Sequence, residues 1–274
     1  MKLPAGAVRV REAFARAVAD DRRVLVTYLM AGYPDPAMAI DASSSALDAG
    51  ADLLEIGVPF SDPVADGPVI AAAGHAAVAA GAGVETAIQA VRALRERGHD
   101  QPILAMGYLN PIVARGRERT LSELREAGVD ALIVPDLPAG EDPGLERLVA
   151  DAGLGMCFLV TPNSSPARLE AAIRGSTAFL YVVPLYGVTG ARARVATTTV
   201  PLVERIRRTV DGRLPVAVGF GISSAEHVRE LAPAADGIIV GSAVVGALDD
   251  RGARGVATLV KELAAATTVA VRSA

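Results

Sequence analysis

The sequence predicts an α/β fold: a (β/α)8 TIM barrel forming a single domain over residues 1–274, with an N-terminal capping helix. Three observations carry this expectation. Eight apolar strand candidates alternate with amphipathic helical stretches from end to end. The strand–helix units recur at roughly 20 to 30 residues, the spacing of a closed parallel barrel. The chain of 274 residues, 51% of them hydrophobic, suits the ~250 residues of such a barrel and shows no linker. A doubly wound open sheet is the structural alternative, and the eight units favour closure over it.

Val8–Ala19 reads as an amphipathic helix that would cap the bottom of the barrel. The first strand is Val24–Met30, and its helix, Pro36–Ala49, stops at Gly50. Ala51–Ile56 follows, with a helix over Glu85–Arg97 ending at Gly98. The third unit is Pro102–Met106 with Leu121–Ala127, where Gly128 ends the helix. The fourth is Ala131–Val134 with Glu141–Ala152, closed by Gly153. After Gly155–Val160, Ser165 precedes Pro166 at a first helical position, opening Pro166–Ile173. The last three units are Ala178–Val182 with Leu202–Val210, Pro215–Val218 with Ala225–Leu231, and Gly237–Val240 with Ala253–Ala265.

A net charge of −4 offers no basic surface for nucleic acid or anionic lipid. Cys157 is the sole cysteine, so no intrachain disulfide can form, and a reducing cytoplasmic setting is expected. Its strand-like surroundings read as those of a buried, inert thiol. No secretory leader and no run of about 18 strongly apolar residues is seen, so no membrane association is expected. His75, His99 and His227 fall in helical or exposed stretches without ligand spacing, and no metal site is expected. No GxGxxG opens a strand–helix unit, so no dinucleotide is expected.

The site of such a barrel lies in the loops after its strands. Glu55 sits in the apolar run Leu53–Ile56, on the face of Leu53 and Gly57, one step before the strand ends. A carboxylate there is costly to desolvate unless the protein uses it. Asp66 follows in the Gly/Pro-rich loop, where a turn role before Gly67 competes with a chemical one. Two such carboxylates suit acid–base cleavage of a carbon–carbon bond. Tyr181 offers either a core ring or an interior hydroxyl. Gly219-Phe220-Gly221 after the seventh strand and Gly241-Ser242 after the eighth form a glycine pair suited to a phosphate, and so to a small phosphoester.

The segment ADLLEIGVPFSDPVADGP, residues 51–68, resembles the signature of the tryptophan synthase alpha subunit family, an indole-3-glycerol-phosphate lyase. TYLMAGYPD, GYLNPI, GVDALIVPDLP, GVTGAR, GFGIS and ADGIIVGSAVV follow in family order, so the resemblance covers nearly the whole chain. It implies that Glu55 is the general acid/base and Asp66 the group that polarises the indole N–H. It implies that Gly190, Gly221, Gly241 and Ser242 hold the phosphate. Tyr181, Thr189, Tyr108 and Phe220 would contact the substrate, Thr189 from a loop closing over the site. No cofactor is implied. The implied partners are indole-3-glycerol phosphate and a pyridoxal-phosphate beta subunit.

Several positions depart from the family pattern. Ala71 and Ala76 stand where Gln and Arg are common, Met30 where Thr is frequent, and Pro184 and Tyr186 where smaller residues precede GVTG. These leave open a stand-alone or pathway-specific lyase acting on a modified indole. A non-catalytic phosphoester-binding regulator, and another phosphosugar enzyme on the same barrel, are further alternatives.

Overall fold

The computed structural model describes residues 2–184, 195–219 and 221–269. Its nine strand segments, all parallel, are β1 (Val24–Met30), β2 (Leu53–Gly57), β3 (Ile103–Met106), β4 (Ala131–Ile133), β5 (Gly155–Cys157), β6 (Leu159–Val160), β7 (Leu180–Val182), β8 (Val216–Gly219) and β9 (Gly237–Val240). They run in the order β5-β4-β3-β2-β1-β9-β8-β7-β6. β5 and β6 are two halves of the one strand expected over Gly155–Val160, so the ring closes there and the barrel has eight staves. The break has a local cause: the N–H groups of Thr177 and Ala178 both converge on the Met156 carbonyl, at 2.9 and 3.2 Å. The ladder slips there, and Phe158 N–H is taken instead by Ser176 Oγ at 3.0 Å.

The helices, in chain order, are α1 (Ala5–Ala19), α2 (Pro36–Asp48), α3 (Pro68–Ala79), α4 (Val84–Glu96), α5 (Leu109–Arg115), α6 (Arg117–Ala127), α7 (Pro143–Asp151), α8 (Pro166–Gly175), α9 (Val195–Val210), α10 (Ala225–Leu231) and α11 (Ser242–Ala265). Two of them, α3 and α5, are absent from the sequence reading. α3 is nearly apolar all round and carries no amphipathic stripe; it packs through Ala73, Gly74 and Ala77. The residue pair Gly67-Pro68 at its start was the available signal. α11 breaks at Arg251 and Gly252, the latter at φ +61, which separates its first turns after Gly241 from the helix expected over Ala253–Ala265. Among the described residues no single helix is long and apolar enough to cross a membrane.

Strand parity sorts the core into two layers. Val24, Val26, Leu53, Leu104, Ile133, Cys157 and Ile239 fill the inside of the barrel, while Leu25, Leu54, Ile56, Ile103 and Leu132 face the helices. α1 caps the bottom as expected: Phe14 enters the barrel and meets Phe179 with ring centroids 5.6 Å apart. Burying a ring of that size contributes roughly 2 kcal/mol or more.

The bottom rim repeats one device four times. Asp52, Asp130, Thr177 and Asp236 each directly precede or lead into an even-numbered stave. Their side chains accept the N–H groups of Leu25, Ile103, Met156 and Val216 at 2.9, 3.0, 2.9 and 2.9 Å. The same four residues donate their own N–H groups back to the carbonyls of those partners at 2.8–2.9 Å. Each pair of neighbouring staves is thereby clamped in register at its base. Arginines brace the carboxylates: Arg22 on Asp52, Arg9 and Arg95 on Asp130, and Arg207 on Asp236. His99, expected in a helical or exposed stretch, is buried in the loop after α4, with Nε2 2.7 Å from Ser44 Oγ.

Candidate active site

With its lower end plugged, the barrel opens at the C-terminal ends of the strands into a cavity of about 890 Å³. This is the volume range of small-ligand sites. Its floor is Glu55. β2 points Leu54 and Ile56 outward to the helices, and so carries Glu55 inward, where it is 1% exposed. Neither carboxylate oxygen has a hydrogen-bond partner among the described residues. Burial, and secondarily the charge of Asp66, pushes its pKa up to about 8.

Asp66 comes from the loop between β2 and α3. The loop is folded by a turn in which Asp66 N–H donates to the Pro63 carbonyl at 3.1 Å. It is tied back to α3 by His75 Nε2, 3.0 Å from the Ser61 carbonyl. Burial raises the Asp66 pKa to about 6, while the neighbouring Tyr108 hydroxyl pulls it down. The same hydroxyl accepts the Ala65 N–H at 3.0 Å. Tyr108 therefore braces the Asp66 loop and stands beside the cavity rather than among its lining residues.

Across the cavity stand Gly221, at φ +73, and the start of α11. The N–H groups of Val244 and Val245 close on the Gly241 carbonyl at 2.8 and 3.1 Å. Those of Ser242 and Ala243 precede that turn and have no partner within the helix. Both residues line the cavity, and the helix dipole adds a favourable field for an anion there. Met106, Leu159, Ile222 and Ile239 supply apolar walls between the two ends.

Of the residues expected from sequence, Glu55, Asp66, Tyr181, Gly221, Gly241 and Ser242 come together around this one cavity. Thr189, Gly190 and Phe220 lie outside the described residues, as does Tyr186. Pro184 is buried directly after Val183, whose N–H donates to the Val160 carbonyl at 2.8 Å. Tyr181 reaches inward because β8 ends in glycine: a Cβ on Gly219 would lie 2.7 Å from its hydroxyl. Burial pushes the pKa of that hydroxyl well above the usual tyrosine value, with the Glu55 charge adding to it. Cys157 is buried below, its thiol pushed up by burial. Tyr28, which also lines the cavity, was missed. The parity of Val24 and Val26 in the same strand was the signal that could have found it.

A parallel barrel with two carboxylates of raised pKa facing glycine-rich strand ends across one cavity defines a TIM-barrel enzyme. The family model described as tryptophan synthase alpha chain matches residues 14–272. The tryptophan synthase alpha chain of Deinococcus radiodurans is 41% identical over 260 residues, covering 95% of this chain and 94% of that protein. That of Roseiflexus castenholzii is 42% identical over 241 residues, 88% and 92% of the two chains. A structure of Mycobacterium tuberculosis tryptophan synthase superposes with a TM-score of 0.87 at 37% identity, over 95% of this chain and 98% of the other. The alpha subunit from Legionella pneumophila gives 0.84 at 30% identity, over 94% and 98%. The chain belongs to the tryptophan synthase alpha chain family, and is a carbon–carbon lyase of tryptophan biosynthesis.

Proposed function

We propose that this chain cleaves indole-3-glycerol phosphate to indole and glyceraldehyde 3-phosphate, with Glu55 as general acid/base and Asp66 holding the indole N–H. The observation that carries this is the separation of two carboxylates in one cavity, one held near 8 and the other near 6. At neutral pH, Glu55 keeps its proton and Asp66 is mainly ionised, which are the states an acid and an N–H acceptor need.

The steps balance on these two groups. Glu55 gives its proton to indole C3, making an indolenine whose ring nitrogen carries positive charge, and Asp66 stabilises that charge through the N–H. The hydroxyl proton on the carbon attached to C3 then leaves to the Glu55 carboxylate. Its O–H electrons form the aldehyde C=O, the C–C bond breaks, and that electron pair restores the indole. Glu55 ends protonated as it began. The amides at Gly221, Gly241 and Ser242 would hold the phosphate, and the apolar walls the ring. Removing water from this cavity strengthens every one of these charge contacts.

The test is indole release from indole-3-glycerol phosphate by the purified protein. Glu55→Ala is expected to abolish it in a protein that still folds. Full turnover in that variant overturns the reading. Both carboxylates are kept and share the cavity, which speaks against a purely regulatory protein. We further infer that a tryptophan synthase beta subunit docks on this chain, supported by the likeness to the solved M. tuberculosis tryptophan synthase. Turnover should rise more than about threefold on adding that subunit. The buried thiol of Cys157 suits a cytoplasmic protein.

A further inference from the structure

In the ring of strands β1 lies between β2 and β9. Glu55 is on β2, and Gly241 and Ser242 follow β9, so a molecule reaching from the carboxylates to the anion cradle crosses the end of β1. The inward side chain there is Tyr28, paired in register with Glu55. It touches both ends of that span. A Cβ on Gly57 would lie 2.0 Å from its Oη, and a Cβ on Gly241 would lie 3.5 Å from its own Cβ.

The hydroxyl is poorly used by the protein itself. It donates to Met30 Sδ at 3.8 Å, and a thioether is a weak acceptor. The residue is 3% exposed, yet it lines the cavity, so a bound molecule is the better partner within reach. Burial, then the charges of Asp66 and Glu55, push its pKa well up, which keeps the proton on the oxygen.

We propose that the Tyr28 hydroxyl positions the substrate by donating a hydrogen bond to a hydroxyl oxygen of the three-carbon chain that joins ring to phosphate. This rests on the reading of the site given above and extends it. The ring of Tyr28 serves packing, and its hydroxyl selects a hydroxylated linker over an alkyl one.

Tyr28→Phe removes the hydroxyl and leaves the ring above Gly57. The kcat/KM for indole-3-glycerol phosphate is expected to fall about tenfold, the worth of one neutral hydrogen bond. The Kd of 3-(indol-3-yl)propyl phosphate, whose linker has no hydroxyl, should stay within about twofold of the unaltered protein. Its binding also shows that the variant is folded. An unchanged kcat/KM, or equal losses for both ligands, overturns the assignment, the second because it marks ring packing. If the unaltered protein releases no indole, the reading of the site fails and takes this assignment with it. An active protein with an indifferent Tyr28→Phe sinks this assignment alone.

Discussion

Replacing Glu55 by glutamine should make the protein more stable while removing its activity, and the gain should depend on pH. In the native protein the Glu55 pKa is raised from 4.5 to about 8. Between those values the unfolded chain has released the proton and the native one still holds it. The native state therefore binds more protons, and stability falls as pH rises. The contribution is complete below pH 4.5 and lost by about pH 8. At pH 7 the gap of about 2.5 units corresponds to roughly 3 kcal/mol, and at pH 8, where the native group is half ionised, to roughly 4 kcal/mol. Glutamine carries no ionisable proton, so this slope disappears in the variant. Its amide meets the same unpartnered surroundings at every pH and adds only a constant. Urea unfolding of both proteins at pH 5, 6, 7 and 8 gives the difference directly. A difference that stays flat across that series would refute the claim that Glu55 is held protonated by burial.

The pH profile of kcat/KM should be bell-shaped, rising as Asp66 ionises near 6 and falling as Glu55 loses its proton near 8; a profile without a falling limb up to pH 9 contradicts the assigned roles. Asp66→Asn should lower kcat by about a hundredfold or more, with a much smaller effect on phosphate-end affinity, read by inhibition with inorganic phosphate. Asp130→Ala deprives Arg9, Arg95 and the Ile103 N–H of a 1%-exposed carboxylate, and should cost about 3–5 kcal/mol in urea unfolding. Turnover per folded molecule should be unchanged, since Asp130 is at the opposite end of the barrel from the cavity. Gly57→Ala places a Cβ 2.0 Å from the Tyr28 hydroxyl and should cost about 1–3 kcal/mol along with most activity. Tyr28→Phe in the same chain should restore only part of that stability, because the ring Cζ still lies 2.6 Å from the added Cβ, and no recovery at all would mean the hydroxyl does not limit the fit.

Legibility differed from element to element for identifiable reasons. Strand staves carry long apolar runs, and helices such as α4 and α7 bury one clear stripe, so both were readable. α3 was not, because a helix built of alanine and glycine has no polar face to set a period. The break in the stave between β5 and β6 was not readable either. It arises from a hydrogen-bond choice by Met156 and Ser176, residues far apart along the chain. In the site, Glu55 stood out because a carboxylate in an apolar strand is anomalous on its face. Tyr28 did not, because a tyrosine among valines and leucines reads as core.

What the linear order of residues decided alone is the periodicity: eight staves, their inward faces, and the loops that carry carboxylate and glycine. Those properties are local, set by side-chain alternation and backbone freedom over a few positions. Closure decided the rest. Only the curled sheet sets β1 between the acid on β2 and the amides after β9, and only there does Tyr28 become a neighbour of both. Likewise the proton affinity of Glu55 belongs to the folded interior, because excluding water from a carboxylate takes the whole wall of the barrel.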